Sequence, residues 1–182
     1  MPRHQVKYIV ISFIFLFIFN SCKDNSTEPF WGTDQYNLLE EVLRDQFNNN
    51  GMIRNEWGKI DTTIKIFYIG FYTAIDSNLI GQGPKADPTQ EFLKRFENYS
   101  RPVKKISDCN TLYFPRDGVH DKTTGELGII FYTGPIRWLS PTAAELEAGW
   151  EYAPSAAACY TYRVYKYGNY WRIYYKTLRW VS

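Results

Sequence analysis

One stretch gathers several side chains able to do acid–base or nucleophilic chemistry: Asp108, Cys109, Asp117, His120, Asp121 and Glu126. A Ser-His-Asp or Cys-His arrangement needs a histidine as its base. Beyond His4 near the N-terminus that histidine is His120, in a Gly- and Asp-rich loop over residues 114–125. No Gly-x-Ser-x-Gly elbow occurs, and no phosphate-cradling glycine motif. One histidine with two spare cysteines does not make a four-ligand zinc cluster. Asp117, Asp121 and Glu126 lack the alternate oxygens and central glycine of an EF-hand loop. No catalytic residue, metal or cofactor is therefore assigned. The enzyme alternative is a hydrolase- or isomerase-like protein with a carboxylate/His site in the concavity of a sheet, drawn from Asp108, Asp117 or His120.

The aromatic inventory is richer. Aromatic residues make up 18% of the chain, which favours a β-rich domain over a helical bundle. The stretch YTYRVYKYGNYWRIYYK, residues 160–176, places Gly168-Asn169 between two aromatic runs. That is a two-residue hairpin signal, with glycine supplying the positive φ. Such a turn pairs Tyr167 with Tyr170. Counting back, Tyr160, Tyr162 and Val164 share an apolar face with Trp171, Ile173 and Tyr175. Arg163, Tyr165 and Tyr167 share a polar face with Tyr170, Arg172, Tyr174 and Lys176, with Arg163 opposite Tyr174. Leu178 and Trp180 then fall on the polar face, which a bulge or a curved sheet would reconcile. The first reading of this face is solvated sheet. The second is a ligand surface formed by Tyr165, Arg172, Tyr174 and Trp180, since small-molecule sites combine aromatic walls with a few polar groups.

These strands need neighbours. Residues 140–150 begin like a capped helix, yet Ala144, Leu146, Ala148, Trp150 and Tyr152 alternate with Glu145, Glu147, Gly149 and Glu151. Alternation of that length predicts a strand, whose acids would lie beside Arg163. Residues 126–139 read as another strand, bent at Gly134-Pro135 because proline cannot donate to the ladder. Residues 62–74 are β-branched and aromatic and predict a strand, and residues 102–106 a short one leading to Cys109. Leu39, Val42, Leu43 and Phe47 recur at helical spacing after Thr33-Asp34, either of which can cap the start. The run 48–51, Asn-Asn-Asn-Gly, stops that helix. A second short helix starts with Asp87 as N-cap and Pro88 at its first position, burying Phe92, Leu93 and Phe96; residues 76–87 form the loop before it. The fold class expected is α+β: a curved antiparallel sheet, ending in a C-terminal meander, packed against one or two helices.

The N-terminal segment is of another kind. Arg3, His4 and Lys7 precede an uncharged apolar run at residues 8–19. That is too short to span a bilayer and reads as the core of an export signal. Ser21-Cys22 follows, then a polar run at residues 23–29. The pattern resembles a bacterial lipoprotein precursor, although Phe19 stands where leucine is usual. The resemblance implies cleavage before Cys22, acylation of Cys22, and a membrane-anchored protein in the cell envelope, facing the periplasm or the cell surface. Several acyl chains on one residue would anchor stably where one would not. The other reading is plain secretion with Cys22 a stray thiol. The domains are thus a signal at 1–21, lipidated Cys and tether at 22–32, and one α+β domain at 33–182. Losing Arg3 and Lys7 leaves 19 basic residues against 19 acidic ones. No general pull toward nucleic acid remains.

Cys109 and Cys159 are then an even pair in an oxidising compartment, so a disulfide is the default expectation, and two buried free thiols the alternative. The domain also resembles exported bacterial α+β domains and, in general form, nuclear-transport-factor-like cone folds, through its curved sheet and final turn-then-Trp strand YGNYWRI. That fold serves enzymes and binding modules alike. The expected partners are the membrane, through the anchor, and a small ligand or envelope protein. Metabolic labelling with a fatty-acid probe should mark the wild-type chain and leave the Cys22→Ala variant unmarked; equal labelling would remove the lipoprotein reading.

Overall fold

In the computed structural model the residues described are 32–49, 62–72, 86–110, 118–153 and 156–181. The chain order is α1 (Thr33–Asn49), β1 (Ile66–Phe71), α2 (Gln90–Lys94), β2 (Val103–Lys105), a 3-10 turn (Ile106–Asp108), β3 (Val119–His120), β4 (Leu127–Thr133), β5 (Arg137–Ser140), β6 (Ala143–Ala153), β7 (Ala156–Tyr167) and β8 (Tyr170–Val181). This is an α+β fold with two helices on an open sheet, as its sequence predicts. The strands run β2-β1-β4-β6-β7-β8, with β3 against β4 and β5 against β6. No helix among the described residues is long and apolar enough to cross a membrane.

The sheet is mixed rather than wholly antiparallel. Strands β4, β6, β7 and β8 are antiparallel neighbours, but β1 runs parallel to both β2 and β4. Parallel neighbours need a long crossover, usually carrying a helix; α2 lies in the connection from β1 to β2. Strand β1 is buried at every position, as a strand covered on both faces must be. Strands β4 and β5 lie end to end along β6, separated at Gly134-Pro135. Residues 143–153 form the strand that alternation predicts, not a helix.

Helix α1 lays Leu39, Val42, Leu43 and Phe47 on the sheet. Phe47 meets Phe131 edge-on at 4.7 Å and Phe67 at 5.0 Å. The expected caps differ in detail. The Gly32 carbonyl accepts the Tyr36 N–H at the start of α1, and the Asp34 carboxylate is drawn across to Lys166 of β7, 2.6 Å away. Thr89, not Asp87, caps α2, its hydroxyl accepting the Phe92 N–H at 3.2 Å. Asp87 instead accepts from the Ser107 N–H and hydroxyl at 2.9 and 2.7 Å, bonds a helix start could not offer. The loops expected at 76–85 and 111–117 and the stop at Asn50-Gly51 lie outside the described residues, as do Cys22 and the whole N-terminal segment.

Gly168 has the positive φ that its turn requires, +60°, and Tyr167 pairs with Tyr170. The register then departs from simple counting. Val164 pairs with Ile173 but Arg163 with Tyr175, so Tyr174 is a bulge; a second bulge at Arg179 follows. Each bulge reverses the facing of what comes after. Tyr175 turns to the face away from α1. Lys176 turns beneath α1, opposite Tyr162, and Leu178 opposite Tyr160.

That reversal builds a polar clamp. Asp45 of α1 accepts from Lys176 Nζ at 2.9 Å, the Tyr162 hydroxyl at 2.8 Å and Asn49 at 2.6 Å. Gln46 donates to the same tyrosine hydroxyl, and the ammonium of Lys176 sits 4.5 Å from the Tyr160 ring centre. Burial alone would raise the Asp45 carboxyl, but the bonds from Lys176, Asn49 and Tyr162 outweigh it and hold it below the usual range. Replacing Tyr162 with Phe keeps the ring and strips a partner from both Asp45 and Gln46. Urea unfolding should show a loss of about 1–3 kcal/mol, and an unchanged midpoint would mean the clamp does not stabilise the fold.

Candidate functional site

The loop expected to carry chemistry is occupied with structure. Asp121 is 4% exposed. Its carboxylate accepts from Lys104 Nζ at 2.7 Å, the Tyr68 hydroxyl at 2.9 Å, and the backbone N–H groups of Thr123 and Thr124, both at 2.9 Å. Burial would raise this carboxyl, but the donors hold it well below the usual range. No lone pair is left over to act as a base. His120 Nδ1–H donates to the Gly125 carbonyl at 3.0 Å, tying it into the same turn. Beneath lies a small second core of Ile66, Tyr68, Ile106, Cys109, Val119 and Ile130, on the face of β1 and β4 away from the helices. Asp117 lies outside the described residues. Among the described residues no group of three or more His, Cys, Asp or Glu could hold a metal.

The disulfide expected between Cys109 and Cys159 is not formed: both are buried free thiols. Cys109 belongs to the second core and donates to the Ile106 carbonyl at 3.1 Å. Cys159 stands on β7 between Gly149 and Trp180, beyond β4 and β6 in the sheet. An even count and an oxidising compartment cannot supply the proximity a bond needs. Burial pushes the Cys109 thiol up to about 12 and raises that of Cys159 as well, so neither is a ready nucleophile.

The outer face of β6–β8 is the charge ladder expected of solvated sheet. Glu145 binds both Arg163, at 2.7 Å, and Arg137. Glu147 binds Arg179, and Arg163 lies over the Tyr175 ring. Glu151 departs from that reading. It is 5% exposed. One carboxyl oxygen accepts the Tyr72 hydroxyl at 2.8 Å, and the other has no partner among the described residues. Tyr72 stands edge-on to Tyr132, 4.9 Å away. Tyr132 in turn donates to the Ala158 carbonyl at 3.3 Å. A Cβ at Gly149 would lie 2.6 Å from the Tyr132 hydroxyl, so only glycine admits this ring. Burial raises the Glu151 carboxyl, and the Tyr72 bond only partly offsets it.

Of the four residues expected to form a ligand surface, Tyr165, Arg172 and Tyr174 lie together, Tyr165 pairing across the hairpin with Arg172, and Trp180 lies apart. Tyr165 and Tyr174 pack edge-on at 5.3 Å, with Tyr174 at the bulge and largely exposed. Trp180 lies near the far end of β8, opposite Cys159. Arg172 also lines a cavity. This is a cleft of about 350 Å³ between α1 and the β7–β8 turn, lined by Asn37, Glu40, Glu41, Arg44, Asn169, Tyr170, Trp171 and Arg172. Because β8 is the last strand of the sheet, the Arg172 side chain reaches Glu41 on α1, 3.7 Å away. The ring of Trp171 is buried against Trp138, and its indole N–H has no acceptor among the described residues. The α1 side of the cleft went unread in the sequence: Asn37, Glu40, Glu41 and Arg44 are the polar stripe of an amphipathic helix, which looks like ordinary solvated surface.

Comparison with known proteins finds no relative: no family model, no curated protein and no solved structure matches the chain. The site's chemistry therefore rests on its own geometry. For Glu151 the sign is fixed. A raised native carboxyl adds stability that is complete below the ordinary glutamate range and is lost as pH climbs through the raised value. Glu151→Gln should flatten that decline and be the more stable form at pH 8, as read by denaturant unfolding from pH 4 to 8. Parallel curves for the two proteins would show that Glu151 ionises as freely as a surface glutamate.

Proposed function

We propose that the protein is an exported module, tethered to the cell envelope through lipid on Cys22, that binds a small ligand or envelope partner without transforming it. The observation that carries this reading is the cleft between α1 and the β7–β8 turn. Its volume is at the lower end of small-molecule sites, and its lining mixes the aromatic residues Tyr170 and Trp171, the latter with its ring buried, with charged and amide groups. The reactive groups elsewhere support the non-catalytic half. Asp121 has its acceptors filled, and both thiols are buried with raised pKa values. Balanced mature charge speaks against nucleic acid as the partner.

One observation favours the alternative, a hydrolase- or isomerase-like enzyme. Glu151 is a buried carboxyl with a raised pKa and a free oxygen, the kind of group that acid–base catalysis uses. It is distinct from Asp108, Asp117 and His120, from which the sequence would build such a site.

Thermal-shift screening of the full-length chain in detergent, against envelope sugars, amino acids, lipid headgroups and small metabolites, tests the binding reading. At least one class should raise the melting temperature, and Tyr170→Ala, at a side chain that is 71% exposed, should weaken the response without lowering the unliganded melting point. No response from any class, or a response indifferent to Tyr170, would remove the cleft as the binding site.

A further inference from the structure

Four charged side chains line the cleft, and they are not equally engaged. Glu40 has both oxygens bound, one by Arg44 and one by Arg95, each at 2.9 Å. Arg44 also donates to the Arg95 carbonyl at 2.8 Å and lies over the Phe96 ring. These two are fixtures of the wall. Arg172 and Glu41 are not. Their closest approach is 3.7 Å, beyond hydrogen-bond range, while the ion pairs Arg163–Glu145 and Lys176–Asp45 close to 2.7 and 2.9 Å. The Arg172 side chain is 65% exposed and that of Glu41 31% exposed. Among the described residues neither has another partner in the structure. A loose exposed pair of this kind contributes little and separates at little cost.

We propose that this pair is the recognition element of the cleft, and that its ligand is a small zwitterion of the α-amino-acid type, carboxylate on Arg172 and ammonium on Glu41. The inference rests on the cleft being the binding site argued above. The charge logic selects the ligand. A lone anion reaching Arg172 meets Glu41 beside it, and a lone cation reaching Glu41 meets Arg172. A neutral molecule can hydrogen-bond to either group but makes no ion pair with it. A zwitterion set between them replaces one loose contact with two charge-assisted ones, and the guanidinium fork suits a carboxylate in particular. Asn37 and Asn169 flank the two charges with amides, and the exposed ring of Tyr170 offers an apolar surface for the ligand side chain. The volume of about 350 Å³ admits a free amino acid.

Isothermal titration of the full-length chain in detergent, first with the common L-amino acids and then with the amide and N-acetyl derivatives of the tightest, decides the matter. The amide, lacking the carboxylate, and the N-acetyl form, lacking the ammonium, should each bind about tenfold or more weakly than the parent, the loss expected for one charged hydrogen-bonding partner. Arg172→Ala should erase the preference for the free carboxylate. Glu41→Gln should erase the preference for the free ammonium and leave the carboxylate preference in place. Both variants should melt as wild type does, since both positions are solvent-accessible. Parent and derivatives binding alike would overturn the proposal. So would a neutral sugar binding through Tyr170 while no amino acid binds, although the cleft itself would then stand. Absence of any ligand would remove the cleft and the zwitterion together.

Discussion

The placement of Lys176 beneath α1 is the constraint on which the rest of this domain hangs. Strand β8 begins with strict pairing to β7 and loses it at Tyr174, where one extra residue enters. Without that residue Lys176 would face solvent and Tyr175 would face the helix. With it, an ammonium group arrives next to Asp45 and the Tyr162 hydroxyl, and the three satisfy one another. Charges held half out of solvent, as Lys176 and Asp45 are, are stabilised when paired and hydrogen-bonded. The bulge and the clamp therefore stand or fall together, and the pair fixes how α1 lies along the last two strands.

That placement divides the sheet into unequal regions. The helix side is filled with aromatic and aliphatic side chains from α1, α2 and the central strands. The opposite side is covered near β1 and β4, where the segment around Asp121 closes a second, smaller core. Further along, over β6 to β8, it carries cross-strand pairs of glutamate and arginine. Such pairs keep a wide antiparallel surface soluble and contribute modestly to stability. Glu151 sits where the covered region gives way to the open one, and its burial is the exception that this geometry creates.

The same placement leaves the cleft. Helix α1 meets β8 at an edge, so its polar stripe faces the β7–β8 turn instead of open solvent. Within the cleft Glu40 and Arg44 are engaged with each other and with Arg95. At this edge the partners Arg172 and Glu41 are near but not joined.

Much of the architecture was legible locally. The apolar spacing from Leu39 to Phe47 gave α1, the alternation from Ala144 to Trp150 gave β6, and Gly168-Asn169 gave the last hairpin, because each rests on periodicity or on a turn that a few neighbouring residues determine. The mixed character of the sheet was half-visible in the unbroken apolar run of β1, which marks burial on both faces. Of the four residues expected to bind a ligand, Tyr165, Arg172 and Tyr174 stayed neighbours and Arg172 also lines a cleft, while Trp180 lies near the far end of β8. The bulges, the free thiols, the burial of Glu151 and the meeting of Glu41 with Arg172 were left to tertiary structure. Asp45 and Lys176 lie 131 residues apart, and no local pattern states that they will meet. Turn chemistry sets where a hairpin starts; where its register breaks depends on what the other side of the chain offers a buried charge.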